Sequence, residues 1–131
     1  IYGERMNTEG AYCLVMGIFA QQMLQGFPMT IRGDGEQRRD FTYVKDVVSA
    51  NILASTSDKV GQGEVLNIGN GDNRSVNEIA ALFGGETTNI DAVLEPQNTL
   101  ADNSKAKQLL GWEPTMTVEE WIPEYKKQLD L

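Results

Sequence analysis

The sequence predicts a mixed α/β fold that is mostly helical and has only short strands. Three observations support this class. Apolar residues recur at helical spacing in several segments, the runs that favour β structure are short, and glycine-containing turns separate the segments. The 131 residues suit one domain or part of a larger one.

The first predicted helix covers residues 11–25 and is apolar on nearly all sides. Gly26 follows directly and is a typical helix stop. Because a helix that is apolar all round must be covered on more than one side, we expect this helix to lie in the core.

Two predicted strands, residues 29–31 and 39–44, flank a glycine-containing turn at residues 33–36. The second strand alternates polar and apolar residues, so Phe41 and Tyr43 would share one face. If the two strands pair as a hairpin across the turn, side chains from both would line one surface.

Four further helices are predicted after the turn. Asp46 lies in the first turn of a helix that ends near Thr56, where the helix dipole favours a carboxylate. Two others begin at Ser75 and Thr117, each followed three residues later by the glutamate of a capping box. The remaining predicted elements are a short helix and two strands, at residues 102–110, 64–68 and 92–94.

Composition excludes several classes of function. The formal net charge of −8 argues against nucleic-acid binding, because a net-acidic surface repels the phosphate backbone. The single cysteine, Cys13, cannot form an internal disulfide, so we expect a reducing compartment, namely the cytoplasm. No apolar run approaches the roughly 20 residues that span a bilayer, and no membrane is expected. Residues 1–3 lack a signal pattern and resemble the end of a strand, as in a piece of a longer chain.

The familiar catalytic sets are missing from the sequence. Without histidine there is no Ser-His or Cys-His pair and no histidine metal ligand. The glycine runs match neither a Walker A loop nor the G-x-G-x-x-G dinucleotide loop. We therefore predict no catalytic residue and no metal site in this chain.

Three of the five arginines lie within residues 32–39. Arg39 and its neighbour Arg38 follow the glycine turn, and a guanidinium offers forked, permanently charged donors that suit a phosphate. Thr30 and Arg32 would lie on the same floor if the hairpin forms. This indicates a small anionic, phosphorylated ligand. The other interpretation, equally open at this point, is an ion pair with Asp34, Glu36, Asp40 or Asp46.

Seven short motifs occur in order along nearly the whole chain. They are Tyr-Gly-Glu-Arg at residues 2–5, Gly-Ala-Tyr at 10–12, Ile-Arg-Gly-Asp-Gly at 31–35, Arg-Asp-Phe-Thr-Tyr-Val at 39–44, Leu-Asn-Ile-Gly at 66–69, Leu-Ala-Asp-Asn-Ser-Lys-Ala at 100–106 and Leu-Gly-Trp-Glu-Pro at 110–114. Together they resemble the C-terminal portion of nucleotide-sugar epimerases and dehydratases, which belong to the extended short-chain dehydrogenase/reductase family. The UDP-glucose 4-epimerase-like members are the nearest type.

The resemblance implies a two-part parent fold, in which a Rossmann domain holds NAD and a smaller C-terminal domain holds the nucleotide sugar. Residues 1–131 would form a single partial domain, the substrate-binding portion, with the Rossmann half missing. The expected ligand is a UDP-sugar or a similar nucleotide sugar.

The resemblance also implies roles for individual residues. Arg39 matches the arginine that binds the diphosphate, and Thr30 and Arg32 match positions beside the uracil and the diphosphate. Asp40 and Asp46 match positions that we interpret as structural. The other implied contacts, to the base through the helix backbone and to the ribose, are at Leu14, Val15 and Glu95.

The departures from the family pattern limit what this chain could do. The glycine-rich NAD loop is absent, and none of the four tyrosines has the lysine four residues later that the family uses in catalysis. A second phosphate-binding arginine, expected shortly before residue 100, is absent from residues 91–93. We therefore expect no NAD bound by this chain and no catalysis by it alone. The alternative is a stand-alone interaction or structural domain that has lost sugar binding.

Self-association is the last expectation. In the family fold the helix from Asp46 and the strand at residues 64–68 would pack on the Rossmann sheet. Without that sheet, side chains such as Val47 and Ile52 lose apolar burial, at about 25 cal/mol per Å². We expect a homo-oligomer that covers this surface.

Overall fold

The computed structural model describes residues 1–10 and 12–131. This part of the chain contains five helices and four short strands, which confirms the mixed, mostly helical α/β class. The helices are α1 Val15–Leu24, α2 Val44–Thr56, α3 Val76–Phe83, α4 Ser104–Leu110 and α5 Val118–Gln128; the strands are β1 Met29–Arg32, β2 Arg38–Arg39, β3 Arg74–Ser75 and β4 Thr87–Ile90. None of the helices described is long and apolar enough to cross a membrane.

The strands form two separate pairs, and the predicted hairpin is wrong. β1 lies parallel to β4, and β2 lies antiparallel to β3. The backbone groups of β1 are thus used by β4, and the Gly33 N–H extends that ladder to the Ile90 carbonyl at 2.9 Å. Arg38 of β2 bonds on its other edge with residues 97–99. Both edges of β2 are therefore occupied, and it has none left for β1.

Three predicted strands differ from the structure because strands need partners. Residues 39–44 pair only at their start, in β2, and Tyr43 forms an isolated bridge with Tyr2 before α2 begins. Residues 64–68 and 92–94 form no ladder with a neighbour. One strand, β4, forms where none was predicted. All four of its side chains are exposed, and its sequence does not alternate apolar and polar residues, so no period-two pattern indicated it.

The helix predictions hold better, because their ends carry local signals. Ser75 Oγ accepts a bond from the Glu78 N–H at 3.1 Å, which is half of the predicted capping box, and Thr117 caps α5 in the same way. α1 is shorter than predicted and begins at Val15 with Leu14 as N-cap. The predicted start at position 11 lies outside the described residues. α5 continues through Pro123.

Two hydrophobic clusters form the core. The first lies among α1, α3, α5 and β1, where Phe19 and Phe83 meet edge to face at 6.0 Å. The second is small and joins α2 to α4 around Ala50, Ala106 and Trp112. The first cluster also forms the inner wall of the cavity described below.

Asp40 and Asp46 hold chain segments together, as their structural interpretation requires. Asp46 is only 2% exposed, and its carboxylate accepts bonds from the Thr115 N–H at 3.0 Å and the Thr115 hydroxyl at 2.6 Å. The Asp40 carboxylate accepts three backbone N–H bonds, from Asn70, Gly71 and Ala101. Asp46 thus ties α2 to the segment before α5, and Asp40 ties the residue after β2 to two later loop segments.

Candidate functional site

A cavity of about 570 Å³ opens between the start of α1, the strands β1 and β2, and the segment that follows β4. All six residues predicted from the sequence to bind substrate line this one cavity. They are Leu14, Val15, Thr30, Arg32, Arg39 and Glu95. Thr30, Arg32 and Arg39 share the cavity although the hairpin that was expected to unite these three does not form.

Arg39 is held at the cavity by two acceptors. Its Nη1 donates to the Arg38 carbonyl at 2.7 Å, and its Nη2 lies 2.5 Å from Glu95 Oε2. The Arg39 and Glu95 side chains are 26% and 32% exposed, so solvent reaches the pair but does not surround it. The guanidinium is therefore fixed in position at the cavity wall and keeps N–H donors unused.

The ion pair corrects the alternative interpretation of the arginine cluster. Two of the three arginines, Arg38 and Arg39, are paired, but not with the nearby carboxylates that the sequence offered. Arg39 pairs with Glu95, and Arg38 pairs with Glu78 at 2.9 Å. Both partners lie far away in sequence, so local spacing could not identify them.

Arg32 is the second cation of the cavity. It ends β1, its side chain is exposed, and no carboxylate of the described residues lies within 4 Å of its charged nitrogens. Gln37, which is buried, donates from Nε2 to the Arg32 carbonyl at 3.1 Å and to Glu95 Oε1 at 3.2 Å. Gln37 thus ties the backbone at Arg32 to the carboxylate that pairs with Arg39.

Thr30 is oriented by α1. Gln22 on α1 donates from Nε2 to Thr30 Oγ1 at 2.8 Å and accepts the Thr30 N–H at 2.9 Å. This two-bond clamp fixes β1 against α1 and leaves a polar group at the cavity floor.

Apolar residues at the beginning of α1 also line the cavity. They are Leu14, the N-cap, which remains half exposed, and Val15, the first helical residue. The contact of their backbone with a base, which the resemblance implies, stays a prediction. Sequence reasoning missed Ile18, one helical turn further, and Ile90 and Val93, which come from the segment around β4. The spacing of Ile18 from Leu14 on α1 could have indicated it, whereas the others depend on the unpredicted β1–β4 pairing.

A smaller cavity of about 250 Å³ adjoins the first. Four residues line both cavities and thus form the wall between them. They are Arg32, Gln37, Val93 and Glu95.

The turn before the cavity contains Glu4. Its carboxylate accepts bonds from the Tyr43 hydroxyl at 2.8 Å and from Lys45 Nζ at 2.7 Å. The bond from Lys45, together with a backbone bond and the Tyr43 bond, lowers the pKa of Glu4 to about 2. Glu4 therefore ties this turn to the beginning of α2.

Neither a metal nor NAD fits the described residues. No group of three His, Cys, Asp or Glu side chains among them could hold a metal ion. The sheets in this part of the chain are two-stranded, and none of its strands leads through a G-x-G-x-x-G loop into a helix.

The chain is similar to known proteins over most of its length. A model of the NAD dependent epimerase/dehydratase family matches residues 1–69. An uncharacterized UDP-glucose epimerase of Bacillus subtilis is 37% identical over 129 residues, which are 93% of this chain and 39% of that protein. A UDP-glucuronic acid decarboxylase of Xenopus tropicalis is 34% identical and covers 98% of this chain and 32% of its own length.

Solved structures of related enzymes have the same fold over this length. The UDP-glucose 4-epimerase of Thermotoga maritima with UDP-glucose superposes with a TM-score of 0.83 at 34% identity, over 98% of this chain and 44% of that chain. The UDP-glucuronic acid 4-epimerase of Bacillus cereus, in complex with UDP-glucuronic acid and NAD, gives a TM-score of 0.80 at 34% identity, over 88% of this chain and 40% of that chain. The chain thus spans less than half the length of these relatives. With more than half of its residues matched by the family model, it belongs to the NAD dependent epimerase/dehydratase family.

Proposed function

We propose that this chain is the UDP-sugar-binding portion of an NAD-dependent epimerase or dehydratase of the UDP-glucose 4-epimerase type. The observation that carries the proposal is that one cavity is lined both by Arg32 and Arg39 and by the apolar residues Leu14 and Val15. Arginine donors suit a diphosphate, and an apolar wall suits a base. The cavity volume of about 570 Å³ also lies in the usual range for small-molecule sites.

The chain would bind and orient the nucleotide sugar without reacting it. The described part holds neither a dinucleotide loop nor a tyrosine followed four residues later by lysine, so the hydride acceptor and the base would come from elsewhere. Arg39 and Arg32 would fix the diphosphate, while Thr30 and the start of α1 would lie beside the base. A single free cysteine is consistent with a cytoplasmic protein.

The test is calorimetric titration of the chain with UDP and with UDP-glucose, before and after Arg39→Ala. We expect the variant to lose about 1.5–3 kcal/mol of binding free energy, because a charge-assisted hydrogen bond is removed. Arg74→Ala is the matched control. Arg74 lies directly opposite Arg39 in the β2–β3 register but is paired with Asp72 and Glu119 and does not line the cavity.

The control should bind both ligands as the parent chain does, provided circular dichroism shows both variants folded. Absence of binding by the parent chain up to millimolar ligand would contradict the proposal. So would an equal loss in the two variants, because the effect would then not come from the cavity.

A second candidate function is favoured by the exposed apolar side chains of α2. Val48, Ile52 and Leu53 lie at helical spacing and are exposed. We propose that two or more copies of the chain associate through this face of α2, whether or not the cavity binds ligand. Sedimentation velocity over a concentration series tests this association.

A further inference from the structure

We infer that Gln37 is a positioning residue, which holds Glu95 for the ribose of the ligand and ties this contact to the arginine of the diphosphate. The inference rests on the proposed function, because it concerns the same cavity. It starts from a buried polar side chain to which neither the sequence motifs nor the proposed function gives a role. Gln37 is only 7% exposed, yet it lines both cavities.

The backbone of Gln37 is fixed by the beginning of α3. Its carbonyl accepts the Val76 N–H at 3.2 Å, and the Gly35 carbonyl accepts the Asn77 N–H at 3.1 Å. These are the first two N–H groups of α3, which can have no partner within the helix. Because α3 belongs to the main core, the end of the glycine turn rests on a rigid element.

The side-chain amide of Gln37 joins two other segments. Its Nε2 donates to the Arg32 carbonyl at 3.1 Å and to Glu95 Oε1 at 3.2 Å. An amide nitrogen carries two hydrogens, so these two bonds account for its donors. The first bond anchors the amide to the end of β1, and the second directs it at the carboxylate.

Glu95 needs this support because it lies in the segment after β4, outside any helix or strand. Arg39 Nη2 holds only one of its carboxylate oxygens, Oε2, at 2.5 Å. One bond leaves a carboxylate free to turn about that bond, whereas a bond to each oxygen fixes its plane. Gln37 supplies the bond to the other oxygen.

The held carboxylate keeps room for a ligand. A carboxylate offers about four lone-pair sites, and the described residues use one at each oxygen of Glu95. Ribose hydroxyls are suitable donors for the remaining sites, and the family resemblance implies the ribose contact for Glu95. Arg39 is bonded to the same carboxylate and would bind the diphosphate. One bonded unit would thus set the spacing between two parts of the ligand.

The consequence is a specific pattern of ligand selectivity. Without the amide of Gln37, Glu95 can still pair with Arg39, so the diphosphate contact remains. The carboxylate is then no longer oriented for the hydroxyls, and the loss should fall on ligands that carry them. A merely structural role at the Arg32 carbonyl would instead weaken all ligands alike.

The test is calorimetric titration of the parent chain and of Gln37→Met with UDP and with 2′,3′-dideoxy-UDP, which lacks both ribose hydroxyls. Methionine is similar to glutamine in length and removes both donated bonds. We expect the parent chain to bind UDP about tenfold tighter than the dideoxy ligand, because hydroxyls bond strongly to a charged acceptor. In Gln37→Met, UDP should bind about tenfold weaker, and the affinity for the dideoxy ligand should stay within about threefold.

Gln21→Met is the matched control. Gln21 donates to Thr8 Oγ1 at 3.1 Å and does not line the cavity, so this variant should change neither affinity. In a Glu95→Ala background, Gln37→Met should cost no more for UDP than for the dideoxy ligand, because the carboxylate that it positions is gone.

Equal losses for the two ligands in Gln37→Met, or a selective loss that persists without Glu95, would overturn the inference. So would a parent chain that binds both ligands equally. In each of these cases the proposed function stands if UDP binding depends on Arg39. If the parent chain binds neither ligand up to millimolar concentration, both are wrong.

A second variant keeps the test decisive if circular dichroism shows Gln37→Met to be unfolded. Gln37→Glu keeps the shape of the side chain and replaces the donating nitrogen by an oxygen. At pH 8, where carboxyls are ionised, it should show the same selective loss for UDP. An unchanged preference for UDP over the dideoxy ligand in this variant would contradict the inference.

Discussion

Helices α3 and α2 place the same residue type in opposite environments. Ile79 on α3 is 0% exposed, whereas Ile52 on α2 is 61% exposed. α3 contacts both α1 and α5, so its apolar face is enclosed within the first hydrophobic cluster. α2 is packed mainly by α4, and its buried residues are Asp46 and Ala50. The first region therefore completes its own core, and the second leaves apolar surface uncovered.

The two helices also differ in how their ends are fixed. α3 has a capping box at Ser75 and a left-handed glycine, Gly84, at its C-cap. α2 has no side-chain cap at Tyr43 and depends on the buried Asp46 carboxylate for its attachment to Thr115. α3 is thus defined by its own sequence, whereas α2 is defined by what packs around it.

The largest expected effect comes from replacing the two isoleucines by alanine. Ile79→Ala should lower the free energy of unfolding by about 2–5 kcal/mol, since it opens a cavity in a closed core. Ile52→Ala should change it by less than about 0.5 kcal/mol, because the side chain is exposed. Urea denaturation at a concentration where the chain is monomeric measures both. Equal losses would show that the face of α2 is covered in solution within a single chain.

A smaller effect is expected on self-association. Ile52→Lys places a charge on the exposed face of α2 and should weaken association by about tenfold, because burying an unpaired ammonium is costly. Phe27→Lys is the control, since Phe27 is similarly exposed at 63% but lies outside α2. Sedimentation velocity over a concentration series measures both variants. A parent chain that stays monomeric throughout, or a control that dissociates equally, would contradict association through α2.

The same contrast explains how much of the fold could be predicted from sequence. Helix ends with local chemistry, such as the capping boxes at Ser75 and Thr117, were predicted and confirmed. Strand pairing was not, because β1 finds its partner in β4, more than fifty residues later, and the side chains of β4 are all exposed. The apolar pattern at residues 64–68 predicted a strand, but a strand forms only where a neighbour supplies hydrogen bonds.

The candidate site divides in a similar way. The six residues predicted from the sequence do line one cavity. Leu14, Val15 and Glu95 were predicted only through the family resemblance. Their individual ligand contacts stay predictions. The partner of Arg39 could not be inferred, because Glu95 lies 56 positions away and the loop that carries it follows an unpredicted strand. Gln37 was missed because an isolated glutamine carries no pattern in sequence.

The smallest expected effect concerns the contact that joins the two regions. Glu4 follows Tyr2 of the first cluster and bonds to Lys45 at the start of α2, and its pKa is lowered to about 2. A carboxyl with a lowered folded-state pKa stabilises the fold above its unfolded pKa of about 4.3, and this contribution is lost as the pH falls toward about 2. The difference in unfolding free energy between the parent chain and Glu4→Gln should therefore shrink between pH 5 and pH 2.

In a Lys45→Met background the same difference should depend much less on pH, since the bond from Lys45 is the main cause of the lowered pKa of Glu4. A difference that is flat with pH in the parent chain would show that Glu4 does not tie the turn to α2 in solution.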